Sequence, residues 1–104
     1  MAICKNKPAF LVESCLLTFG LVSVSEAALA ESWRAAGLDG APLCWIKDGE
    51  IAVGTMEEYL PFRASRPSGK FALDDIDAAL AGKLSGALTA SGTMEVCRRL
   101  GVRC

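Results

Sequence analysis

Apolar and polar positions along the chain change period several times, and each change marks an element. Ala9-Phe10-Leu11-Val12 is a short apolar run and reads as a buried strand leading into Glu13-Ser14. Ser25 is a good N-cap and Gly37 a good C-terminal stop, and Ala28, Leu29, Trp33 and Ala36 between them follow helical spacing. A helix is predicted over 26–36. Leu43–Lys47 and Glu50–Gly54 are apolar runs on either side of Asp48-Gly49, the strongest short-range hairpin signal in the chain. Thr55 with Glu58 three residues on forms a capping box, which predicts a short helix over 56–60.

From Pro61 to Gly69 the composition is that of a loop, with Pro61, Pro67, Ser68 and Gly69. Residues 70–72 read as a brief extended piece. A helix over 73–84 follows, with Asp74, Asp75 and Asp77 at its start, Lys83 in its last turn, and Ile76, Ala79, Leu80 and Leu84 as its apolar face. Residues 86–90 read as a strand. Ser91-Gly92-Thr93 opens a helix that ends at Gly101, and 102–104 begin another strand. Alternation of strands and helices predicts an α/β fold. The expected architecture is a layered α/β/α arrangement whose mixed sheet contains one β-hairpin, in a single unit over 1–104. Because the last predicted strand is only begun, the sheet is expected to be incomplete.

Composition narrows the function classes. Of 104 residues 52% are apolar, which excludes a disordered tail and predicts association through apolar surface. Eleven basic residues against 12 acidic ones give a net charge of −1, which argues against a nucleic-acid partner or an anionic membrane. Residues 1–30 imitate an export signal, with Lys5 and Lys7, an apolar run, and Ala28-Leu29-Ala30. Glu13 in the middle of that run opposes export, and the run is too short and interrupted to span a membrane. A cytoplasmic location is expected. The five cysteines include no C-x-x-C pair, and there is no histidine, so Cys/His zinc patterns are excluded. The cysteines read as buried thiols.

Without histidine, acid–base chemistry falls to carboxylates, lysines or cysteines. Three places could carry it. Glu13, at the end of a buried strand among Leu11, Val12, Leu16 and Leu17, is a candidate general acid, or else a carboxylate paired at the surface. Thr89-Ala90-Ser91-Gly92-Thr93, a small-residue turn from strand to helix, offers backbone amides and hydroxyls to a phosphate, or else is an ordinary N-cap. Lys70, behind the Pro/Gly/Ser loop, could meet a phosphate or sugar oxygen, or be a solvated surface lysine.

In their order, these segments resemble the pseudouridine-5'-phosphate glycosidase family, also called indigoidine synthase A-like. The likeness rests on four blocks: Lys7-Pro8 before a strand ending in Glu13-Ser14 and leading to Gly20; Ala41-Pro42 through the hairpin to Glu57-Glu58; Lys70 with Asp74-Asp75; and Gly86-Ala87-Leu88-Thr89-Ala90-Ser91-Gly92-Thr93-Met94. The resemblance implies reversible cleavage of the C–C bond joining uracil to ribose 5-phosphate. It also implies Glu13 as proton donor, substrate contacts at Lys70, Ala90 and the adjoining Thr89, Ser91 and Thr93, a divalent metal (manganese), and a trimeric homo-oligomer. The alternative is a non-catalytic remnant that binds a sugar phosphate or a partner chain. Phe19 replaces the family's histidine, and Ala72-Leu73-Asp74-Asp75 replaces its Ser-Arg-Arg-Asp run. The resemblance places the metal carboxylate and an imine-forming lysine beyond Cys104, so the chain is expected to be truncated and inactive alone.

Overall fold

The computed structural model describes residues 10–21 and 23–102. Four strands form one mixed sheet: β1 (Leu43–Lys47), β2 (Glu50–Gly54), β3 (Gly69–Phe71) and β4 (Gly86–Leu88), in the order β2-β1-β4-β3. The β1–β2 and β1–β4 pairings are antiparallel, and β3–β4 is parallel. Four helices cover the sheet: α1 (Glu26–Ala35), α2 (Met56–Ala64), α3 (Ile76–Ala81) and α4 (Ala90–Leu100).

The hairpin forms as its turn signal predicts. Asp48 (φ 51°) and Gly49 (φ 77°) both take the left-handed conformation that a two-residue turn between twisted strands requires. Pleating then sorts the strand residues onto two faces. Cys44, Ile46, Ile51, Val53, Phe71 and Leu88 pack with Ile76, Ala79, Val96 and Cys97, so α3 and α4 cover that side. Leu43, Trp45 and Ala52 pack with Leu29, Met56, Tyr59 and Phe62, so α1 and α2 cover the other. The result is the expected α/β/α layering, with β1 buried on both faces along four of its five residues.

Several boundaries differ from the sequence reading. Helix α2 does not stop at Pro61 but continues to Ala64. An interior proline costs a helix about 3 kcal/mol. Here the last turn buries Phe62 and Arg63, and the bonds made by Arg63 offset that cost. The helix expected over 73–84 is shorter: Leu73–Asp75 is a 3-10 turn, and α3 ends at Ala81. Gly82 and Lys83 (φ 52°) turn the chain, and the Leu84 carbonyl accepts the Gly49 N–H at 2.9 Å, which ties this turn to the hairpin. Leu84 is therefore exposed rather than part of the apolar face. The strand predicted after 101 falls largely on residues outside those described.

The expected strand over 9–12 reduces, among the described residues, to isolated bridges at Phe10 and Val12. Val12 bridges Leu43 in parallel sense, and its carbonyl accepts the Cys44 N–H at 3.2 Å. That is the edge of β1 that β4 occupies from Trp45 onward. Two segments thus share one edge of β1, approaching from opposite directions, and neither can extend into the other. Their carboxyl ends meet.

Candidate active site

At that meeting point Ser14 is fully buried, and its Oγ accepts the Leu88 N–H at 3.0 Å. The Ser14 carbonyl accepts the Thr18 N–H (2.9 Å) and the Thr18 hydroxyl (2.8 Å), which starts the π-helical turn Leu16–Gly20. Because the Thr18 proton is given to Ser14, the Tyr59 hydroxyl at 2.6 Å is the donor to Thr18 Oγ1. Burial pushes the Tyr59 pKa up, which keeps that phenol protonated for the task.

Glu13 is half-buried immediately before this anchor. Its neighbourhood is shown by Cys44, whose thiol is pushed up to about 12. Burial is the main cause, the Thr93 hydroxyl opposes it, and the Glu13 carboxylate adds to it. Cys44 Sγ lies 3.8 Å from Thr93 Oγ1 and 3.9 Å from the Val12 carbonyl. Glu13, Cys44 and the first turn of α4 therefore stand together at the end of the sheet. Cys44 is a neutral structural thiol, not a nucleophile.

The cap of α4 is Thr89, not Ser91. Thr89 Oγ1 accepts the Gly92 N–H at 3.3 Å and contacts the Phe71 carbonyl at 3.3 Å. Ser91 Oγ accepts the Leu73 N–H at 3.2 Å, so it holds the strand-to-helix connection after β3. Thr93 is buried, while Ala90 and Ser91 are exposed. The amides of Ala90 and Ser91, in the first turn, have no acceptor within the helix and lie at its positive end. Gly92 is required for the close approach of α4 to β3: a Cβ there would lie 2.4 Å from the Phe71 carbonyl oxygen.

Lys70 is placed differently. It pairs with Ala87, which pairs with Trp45, so Lys70 stands on the α1/α2 face of the sheet. Its Nζ is 6.0 Å from the centre of the Phe19 ring. The structure thus brings Glu13 to the 89–93 turn, whereas Lys70 stands on the opposite face of the sheet, beside Phe19.

Sequence reasoning missed Arg63, which it placed in a loop. This guanidinium is buried inside the molecule. Nε donates to the Leu17 carbonyl (2.9 Å), Nη2 donates to those of Leu21 (2.6 Å) and Val24 (2.7 Å), and Nη1 pairs with Glu26. One side chain so fixes the whole connection from the Glu13-Ser14 corner to α1. Only the tertiary fold brings three carbonyls to it, and no local motif signals that.

The cysteine reading needs one correction. Cys15 and Cys44 are free, but Cys97 is disulfide-bonded. Pairing depends on proximity in the fold, which cysteine spacing without a C-x-x-C does not reveal.

Among the described residues, no group of three or more His, Cys, Asp or Glu side chains is arranged to hold a metal ion. These residues do not fit the manganese that the resemblance implies, and no chemical step is assigned to it. Among the same residues, no helix is long and apolar enough to cross a membrane.

Set beside known proteins, the fold and this corner define an α/β domain of the indigoidine synthase A-like type. The model of that family matches residues 1–104, and the chain belongs to it. A solved structure, the prealnumycin C-glycosynthase AlnA in complex with ribulose 5-phosphate, is similar at 30% identity with a TM-score of 0.65. The match covers 92% of this chain and 32% of AlnA, so the chain spans about a third of that protein's length. No curated protein matches the chain.

Proposed function

We propose that the chain contributes the proton-donating corner and part of the sugar-phosphate site of a C-glycoside enzyme, of the pseudouridine-5'-phosphate glycosidase kind. The observation that carries this reading is the convergence of Glu13-Ser14 and the Thr89-to-Thr93 turn where two carboxyl ends meet, joined by the Ser14–Leu88 bond. In open α/β sheets such ends are where ligands sit. The AlnA structure, which holds ribulose 5-phosphate, supports the sugar-phosphate class.

In this reading the sugar phosphate lies against the amides of Ala90 and Ser91, and Lys70 supplies a cation from the other face. Breaking a C–C glycosidic bond leaves its electron pair on the base carbon. That carbon must gain a proton as the bond to the sugar carbon breaks, and Glu13 delivers it, while the sugar carbon, left without that pair, takes the oxygen of a water molecule to give the free sugar phosphate. In the synthetic direction Glu13 takes the same proton away. Ser14 fixes where Glu13 stands, Thr18 and Tyr59 hold Ser14, and Arg63 holds the connection that follows.

Calorimetric titration with ribose 5-phosphate tests this. Binding is expected at roughly millimolar Kd, about 4 kcal/mol. Lys70→Ala should weaken it severalfold, and Glu13→Gln should leave it intact, since the donor acts on the base. Absence of binding, or binding indifferent to Lys70→Ala, contradicts the proposal.

A further inference from the structure

On the α1/α2 side of the sheet, away from Cys44 and Thr93, a cavity of about 360 Å³ opens among Phe19, Ser23, Ser25, Glu26, Arg63 and Arg66. The proposed reaction gives it no role. Its charge balance is uneven. Arg63 is spent on Glu26 and three carbonyls, so those two charges cancel. Arg66 remains, exposed and without a hydrogen-bond or ion-pair partner among the described residues. The Ser23 and Ser25 hydroxyls line the same space, the latter also accepting the Ala28 N–H at 3.1 Å.

Arg66 is also an unusual residue for its backbone. It follows the C-cap Ser65 of α2, its N–H bonds the Arg63 carbonyl at 3.1 Å, and it takes φ 55°. Glycine is the residue that closes a helix there without strain, and an arginine in that conformation is strained. The strained conformation directs a free guanidinium to the rim of a cavity that is otherwise neutral.

We infer that this cavity binds a small phosphomonoester or inorganic phosphate, at a site separate from the Ala90–Ser91 amides. Arg66 is the principal anchor, the serine hydroxyls are secondary donors, and the Phe19 ring is an apolar wall. The volume lies at the low end of small-molecule sites, which suits a three- to five-carbon phosphate and excludes a dinucleotide. The planar guanidinium matches two phosphate oxygens at once. The inference stands independently of the proposed reaction.

The test is a titration of the ¹⁵N-labelled chain with inorganic phosphate and with glycerol 3-phosphate, followed by amide chemical shifts. Both probes should move the signals of Ser23, Ser25, Glu26 and Arg66. Arg66→Gly removes the guanidinium and relieves the backbone, so this variant should melt no lower than the parent while its Kd rises about tenfold. Arg66→Glu should abolish the shifts. Unchanged affinity in Arg66→Gly overturns the inference, as does perturbation confined to Ala90 and Ser91, which would leave the proposed reaction site standing alone.

Discussion

The hydroxyl oxygen of Ser14 accepts the backbone N–H of Leu88 at 3.0 Å, in the buried interior and across 74 residues of sequence. A strand amide that would otherwise be left without a partner is satisfied by a side chain from the segment blocking the way. This bond sets the distance between Glu13 and the first turn of α4, and most of the site's geometry depends on it.

Ser14→Ala removes that acceptor and strands the Leu88 amide in a buried position. Loss of a partner for a buried amide costs about 1–3 kcal/mol. Urea denaturation of the variant should show a midpoint lowered accordingly with an unchanged slope. A change below about 0.5 kcal/mol, the range of ordinary surface substitutions, contradicts the assigned bond.

Arg63→Met keeps much of the apolar stem and removes the guanidinium. The carbonyls of Leu17, Leu21 and Val24 lose their donors together. The expected cost is at least about 2 kcal/mol, since hydrogen bonds to charged groups are the stronger kind. Amide exchange should accelerate between residues 17 and 26 more than in the hairpin. Uniform acceleration across the chain contradicts the local role.

Gly92→Ala sets two effects against each other. Alanine is favoured over glycine inside a helix by about 1 kcal/mol. A Cβ at this position meets the Phe71 carbonyl at 2.4 Å, and overpacking of that kind typically costs about 1–3 kcal/mol. Sterics wins, and the variant should melt lower than the parent. A raised melting temperature contradicts the close packing of α4 on β3.

Two groups give the stability an opposite slope at the two ends of the pH scale. Hydrogen bonds from Arg98 and then Arg99 hold the Glu95 carboxyl at about 2, below its ordinary 4.5. Its folded pKa is depressed, so its contribution is present above about 4.5 and is lost as pH falls toward 2. Cys44 is the reverse case: burial raises its pKa from 9.0 to about 12, so its contribution is present below 9 and is lost as pH rises toward 12. Glu95→Gln should flatten the acid limb of a stability–pH profile and Cys44→Ala the alkaline limb. Identical limbs in parent and variants contradict both assignments. Cys44 should also resist alkylation in the folded chain at neutral pH.

Much of the fold is legible in the chain because its signals are local. Asp48-Gly49 dictates the turn, Ser25 and Gly37 bracket α1, and the Glu58 carboxylate accepts the Thr55 N–H at 3.0 Å as the capping box requires. What escaped reading depends on distant partners. Pro61 looks like a stop until the burial of Phe62 and Arg63 is known. Leu84 looks like core until its carbonyl is seen bound to Gly49. At the site, Glu13 and the 89–93 turn could be named from their residue types. Their approach to each other is not written in either segment, since it follows from both using one edge of β1. Lys70 could be named too, but its face was set by register with Ala87.

The most direct measurement is the location of bound ribose 5-phosphate by amide chemical shifts of the labelled chain, with Arg66→Glu as background to silence the second cavity. The account predicts the largest shifts at Ala90 and Ser91, with smaller ones at Glu13 and Ser14, all needing severalfold more ligand together in Lys70→Ala. Shifts elsewhere with Ala90, Ser91 and Glu13 unmoved would contradict a shared site where the two carboxyl ends meet.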